Sequence, residues 1–245
     1  MSTSSIGSRS GSVRRSRIVS TLAITLLALP VAAAAQDPNL VDQGRFDISV
    51  GERVIGTETF AIRRQGEGYM AVGRMQLERE DTWLRSAEFG LRTDGGYAPV
   101  RFESRALGRP MRSLVVTRTG TRLRITTSND EGERMTELLA TPSQVILGPG
   151  IAQHYYFVIR RIEASAAVAT GLVAILPGGG REQPVTVNSV TAVEVMIGGT
   201  SRPASRYDLD VGGTQHIVWA DPADGRILKV EIPDRTWISV RRPNN

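Results

Sequence analysis

Two histidines, His154 and His216, are the only imidazoles in a chain of 245 residues that has no cysteine. An imidazole can act as a general base, partner a nucleophile or ligate a metal. A Ser-His-Asp triad is not excluded by counting residues. Yet the chain has no G-x-S-x-G elbow and lacks the strand–helix alternation of a hydrolase sheet. Zinc would need both histidines and a carboxylate, and no local pair has metal-ligand spacing. His216 stands beside Gln215 in a strand pattern and reads as a sheet-surface residue. A hydrolase using His154 or His216 is therefore the weakest of three functional readings.

The carboxylates and glycines are equally spare. Glu78, Glu80 and Asp81 could supply an acid–base pair for glycoside chemistry, but they fit the exposed side of a strand running into a turn. Asp221 and Asp224 invite calcium. Their interval does not match an EF-hand, and Pro222-Ala223-Asp224-Gly225 is explained as a hairpin loop. Gly178-Gly179-Gly180 follows a strand but leads through Arg181, Glu182, Gln183 and Pro184 into another. A phosphate loop would need a helix there. Gly148-x-Gly150 lacks the third glycine of a dinucleotide fingerprint. The absence of cysteine removes disulfides, thiolate metal sites, cysteine nucleophiles and lipoprotein acylation. No catalytic residue, cofactor or metal is assigned.

The residues most open to a binding role lie on one helix. Gly148-Pro149-Gly150 breaks the backbone, and Ile151 to Glu163 then reads as the one convincing helix after the leader. At 100° per residue, Ile151, Tyr155, Val158 and Ile162 share a narrow stripe. Gln153, Tyr156, Arg160 and Glu163 fall on the other side. That predicts an amphipathic helix with one buried face, with His154 and Arg161 at the edge of the stripe. Ile151, His154, Tyr155, Val158, Arg161 and Ile162 are then candidates to line or lid a cavity. The commoner outcome for such a helix is packing alone.

Elements to position that helix are nearly all strands. Phe46, Ile48 and Val50 alternate with polar neighbours, and similar runs recur to Trp237–Val240. About thirteen strands are expected, with hairpin turns at Asp94-Gly95-Gly96 and Asp221 to Gly225. Ala167 to Leu176 is almost continuously apolar and reads as a strand buried on both faces. The fold class is mainly β: a curved antiparallel sheet or half-barrel, with one helix packed on or inside it and dividing it into two arms. Arg45–Gly51 and Arg206–Gly212 echo each other, R-F-D-I-S-V-G against R-Y-D-L-D-V-G. Duplication or chance likeness between amphipathic strands would each account for this.

Residues 1–35 carry Arg9, Arg14, Arg15 and Arg17 and no acid, then an apolar run to Ala35 interrupted by Pro30. Ala33 and Ala35 make an A-x-A site, so the segment reads as a signal peptide cleaved after Ala35. A membrane anchor is the rival, but the run barely reaches spanning length. The expected location is periplasmic or secreted, with a single β domain over 36–245 that does not span the membrane. The whole chain is +5, with 30 basic and 25 acidic residues. Losing the four leader arginines leaves about +1, which gives no footprint for nucleic acid. With aromatics at 5% and arginine on nearly every strand, an outer-membrane barrel is also disfavoured.

The stretch Gly44 to Phe60, G-R-F-D-I-S-V-G-E-R-V-I-G-T-E-T-F, resembles the opening of uncharacterised exported bacterial β-sheet proteins. Leu91-Arg92-Thr93-Asp94, Pro99 to Phe102 and Asp224 to Val230 fit their later strands. In architecture such proteins are similar to the lipoprotein carriers of the periplasm, curved half-barrels with helices over an apolar concave face. One helix here, in place of several, departs from that pattern. The resemblance implies binding of an acyl chain or lipid and supplies no catalytic residue. The leading expectation is a non-enzymatic envelope protein holding an apolar ligand. The alternative is an interaction module that docks another envelope protein by a sheet face or edge.

Overall fold

The computed structural model describes residues 37–78, 86–107, 112–164 and 171–243. The leader, Glu80 and Asp81, and the start of the Ala167–Leu176 run lie outside them. In chain order the strands are β1 (Leu40–Val50), β2 (Arg53–Gln65), β3 (Gly68–Leu77), β4 (Ser86–Thr93), β5 (Pro99–Leu107), β6 (Arg112–Thr119), β7 (Arg122–Asn129), β8 (Gly132–Leu139) and β9 (Gln144–Ile146). The helix α1 (His154–Ala164) follows. Then come β10 (Val173–Leu176), β11 (Arg181–Ile197), β12 (Thr200–Val211), β13 (Thr214–Ala220), β14 (Ile227–Ile232) and β15 (Trp237–Arg241).

All fifteen strands belong to one curved, open sheet, ordered β8-β7-β6-β5-β4-β3-β2-β1-β15-β14-β13-β12-β11-β10-β9. The expectation of about thirteen strands is thus corrected to fifteen among the described residues. β9 carries no alternation to reveal it: Gln144, Val145 and Ile146 are all buried. It also pairs parallel with β10, whereas the other neighbouring pairs are antiparallel. β11 is one continuous strand of 17 residues with a register shift between Val187 and Ser189.

The two arms on either side of α1 meet where β1 pairs with β15, from Phe46 opposite Arg241 to Val50 opposite Trp237. This seam is held by charge as well as by its ladder. Arg241 donates from two nitrogens to the Asp42 carboxylate at 2.9 and 2.6 Å, and also to the Gln43 and Ile227 carbonyls. Both residues are buried. Gly44 leaves room for the guanidinium, since a Cβ there would lie 2.9 Å from an Arg241 nitrogen. The echoed segments fall on different places in the sheet, one in β1 at the seam and the other in β12, three strands beyond β15.

Alternation along the strands puts one apolar set against the helix. Phe46 and Ile48 of β1, Phe60 and Ile62 of β2, Phe89 and Leu91 of β4 and Leu209 of β12 join Phe157, Val158 and Ile159 of α1 in the main core. A small second cluster, Val195, Ile197, Ala204 and Leu228, is built from outward positions of the C-terminal arm. α1 is buried on every side for its first two turns. Gln153 and Tyr156, expected on the exposed side, are 1% and 4% exposed. Only Arg160, Ile162, Glu163 and Ala164 reach water to any degree. The one-faced helix of the sequence pattern is therefore a plug, because the sheet bends round it.

Candidate functional site

The helix begins at His154, three residues later than its periodicity suggests. Ile151 to Gln153 form a turn, and the N–H groups of Ala152 and Gln153 leave the helical ladder. A helix start must find acceptors for such groups. They come from Glu58, 94 residues upstream on β2, whose two carboxylate oxygens accept from Ala152 at 2.7 Å and Gln153 at 3.0 Å. Glu58 is fully buried. Burial pushes its carboxyl up to about 7, against the lowering pull of the two N–H donors. Sequence reasoning passed over Glu58. The signal was there: it lies two residues before Phe60 and four before Ile62, on the same side of the strand.

His154 is sealed beside this cap. The Gly148 N–H donates to its Nδ1 at 2.9 Å, which fixes the proton on Nε2. Nε2 is buried and has no hydrogen-bond partner among the described residues, as is true of both polar atoms of the Gln153 amide. The imidazole packs edge-on to Phe102 and Phe89, with centroids 5.3 and 6.0 Å away. Burial pushes it down to about 3. A neutral ring walled in by two phenyl groups cannot reach a solvent-borne substrate.

Above the phenyl groups lies a cavity of about 390 Å³. Its apolar wall comes from Met75, Phe89, Phe102 and Leu114 of the N-terminal arm. The loop Gly148-Pro149-Gly150 and the first turn of α1 bring Ile151 and Tyr155, and Leu176 and Val211 complete the far side. Gly148 and Gly150 keep the loop tight. A Cβ at 148 would lie 2.5 Å from Ile151, and one at 150 would lie 2.6 Å from the Trp237 ring. Gly150 also takes φ +68, which favours glycine.

Tyr155 and His216 are among the polar groups of this wall, with Ser104, Ser113, Thr127, Gln183 and Thr214. The tyrosine hydroxyl and His216 Nδ1 share a hydrogen bond of 2.5 Å. Burial holds His216 down to about 4, helped by the positive charge of Arg235, while Asp210 and Asp234 oppose it. Burial also raises Tyr155. The pair is neutral at physiological pH and offers one hydrogen-bonding spot in a wall of mixed character. Three exposed arginines, Arg112, Arg181 and Arg235, line the same space, and among the described residues no acidic side chain does.

A scan against protein-family models, a search of curated proteins and a search of solved structures each return no match. The chemistry of the site must then be read from its own geometry. Among the described residues no three His, Asp or Glu side chains gather to hold a metal. No described helix is long and apolar enough to cross a membrane.

The six helix candidates part company. Ile151 and Tyr155 line the cavity. His154 lies under its phenyl wall. Val158 is fully buried in the core, and Ile162 is half-buried against it. Arg161 works at the opposite end, where its guanidinium donates to the Gly96 and Pro142 carbonyls and ties α1 to two loops. His154 and Arg161 thus do not form one rim.

Proposed function

We propose that this protein is a non-enzymatic carrier or holder of an apolar ligand, such as an acyl chain or lipid, in the cell envelope. The observation that carries the reading is the cavity beside the N-terminal turn of α1, apolar over a little more than half of its wall and within the size range of small-ligand sites. The sheet has the outline of a half-barrel filled by one helix, which leaves this unfilled corner. The leader-like residues 1–35 support delivery to the periplasm or outside the cell. Burial of His154, and pairing of His216 with Tyr155, weigh against a hydrolytic role for either imidazole.

Native mass spectrometry of protein purified without denaturant tests this. An apolar ligand is expected to co-purify. Ala87→Leu, which fills the wall where Ala87 is 2% exposed, is expected to lose it. A bare mass in both proteins, and nothing in an organic extract, defeats the reading.

A second reading, docking by a sheet edge, is favoured by β8. That strand ends the sheet and shows Met135 and Leu139 at 53% and 68% exposure. Capture of an envelope protein that Met135→Lys, Leu139→Glu abolishes would support it.

A further inference from the structure

We infer that the cavity takes an amphiphile with an anionic head, a carboxylate or phosphate held by Arg181 and Arg235 with its tail against Phe89 and Phe102. This rests on the carrier reading above and narrows it to a ligand class.

Charge balance is the first ground. Some of the chain's arginines are neutralised in ion pairs: Arg63 with Asp37, Arg124 with Glu137, Arg206 with Asp208, Arg241 with Asp42 and Arg242 with Asp47. Arg181 and Arg235, like Arg45, Arg53 and Arg74, make no ion pair with any described residue; unlike those three, they border a cavity that no described carboxylate lines. Guanidinium groups beside an apolar wall attract an anion more strongly than the same groups in open water. Their forked N–H donors match carboxylate and phosphate oxygens.

Convergence is the second ground. Arg112 opens β6, Arg181 opens β11, and Arg235 closes the 3₁₀ turn Pro233–Arg235 before β15. These places are far apart in the sheet order, so only its curvature brings them to one space. The 3₁₀ turn Pro177–Gly179 presents Gly178 and Gly179 without side chains beside Arg181. A Cβ at 179 would come within 3.2 Å of the Arg181 Nε. Beneath them, Tyr155 and His216 supply one polar spot. A polar head with an apolar tail satisfies both parts of this wall, and a neutral hydrocarbon satisfies only one.

The test uses the full chain in low salt with the neutral fluorophore N-phenyl-1-naphthylamine, displaced in turn by dodecanoate, dodecyl phosphate, dodecanol and inorganic phosphate. The two anionic amphiphiles are expected to displace it about tenfold more tightly than dodecanol, the sum of a few partly exposed charge contacts. Added salt is expected to erase that preference. Inorganic phosphate alone is expected to leave the fluorophore in place. The Arg181→Gln, Arg235→Gln double variant is expected to bring dodecanoate to near parity with dodecanol while still binding the fluorophore. Fluorophore binding with equal displacement by dodecanol and dodecanoate overturns the anionic head and leaves the apolar cavity standing. Failure of the fluorophore and every amphiphile to bind overturns both. Displacement by inorganic phosphate alone overturns the amphiphile and makes the site one for a free anion.

Discussion

The two ends of α1 are built in opposite ways. At the C-terminal end polar contacts and stacked rings fill the space. Tyr207 donates to Glu163 at 2.8 Å, Arg160 pairs with Glu163 at 2.8 Å, and Arg161 holds two carbonyls. Tyr69 and Tyr97 stack at 4.8 Å, and Tyr156 meets Tyr97 edge-on. Arg226 and Arg241 converge on Asp42 nearby. At the N-terminal end one carboxyl from beneath satisfies the helix start, two glycines and a proline turn the chain, and a cavity is left. Space survives where the backbone's needs are met from inside the core. It vanishes where side chains must reach across to meet them.

The comparison can be broken first at its closed end. Arg241→Ala removes both close hydrogen bonds to buried Asp42, leaving only Arg226 at 3.6 Å, and is expected to cost about 3–5 kcal/mol in urea unfolding. The cavity, at the other end, is expected to bind N-phenyl-1-naphthylamine as before in whatever fraction stays folded.

Glu58→Ala attacks the open end. It leaves two N–H groups without acceptors and is expected to cost about 2–4 kcal/mol at pH 5. The pH dependence sharpens this. Glu58 titrates near 4.5 when unfolded and at about 7 in the fold. Its raised value means that its contribution is full below about 4.5 and is lost as pH rises through about 7. His154 and His216 run the other way, since their lowered values remove stability as pH falls. Subtracting the unfolding free energy of Glu58→Gln from that of the wild type cancels the histidines. That difference is expected to shrink by about 2–3 kcal/mol between pH 5 and pH 8. A flat difference would mean that Glu58 is not buried as described.

Gly148→Ala pushes a methyl into Ile151 and His154 and is expected to cost about 1–3 kcal/mol, read as a lower melting temperature. The smallest effect is expected from Arg181→Gln. Its side chain is exposed, so stability should stay within about 0.5 kcal/mol. A large loss there would make Arg181 structural.

Strand periodicity made the sheet legible, and the Gly148–Gly150 break located the helix. Helix periodicity failed at Gln153 and Tyr156, because it sorts faces against a single partner and this sheet surrounds its helix. Glu58 was readable from its phase with Phe60, but an acid in an alternating strand invites the solvent-facing reading. The arginine trio could not be read at all. Positions 112, 181 and 235 share no local pattern, and only the strand order and the bend unite them.

The seam has a kinetic consequence. Asp42 and Arg241 stand 199 residues apart in sequence and meet side by side. A polypeptide made from its amino terminus holds β1 with one bare edge until nearly everything else has been synthesised. Loop closure over that span is slow, and the waiting edge is a template for wrong partners. Refolding should therefore pass through a long-lived, sticky species, and whatever shields β1 during that interval sets the yield.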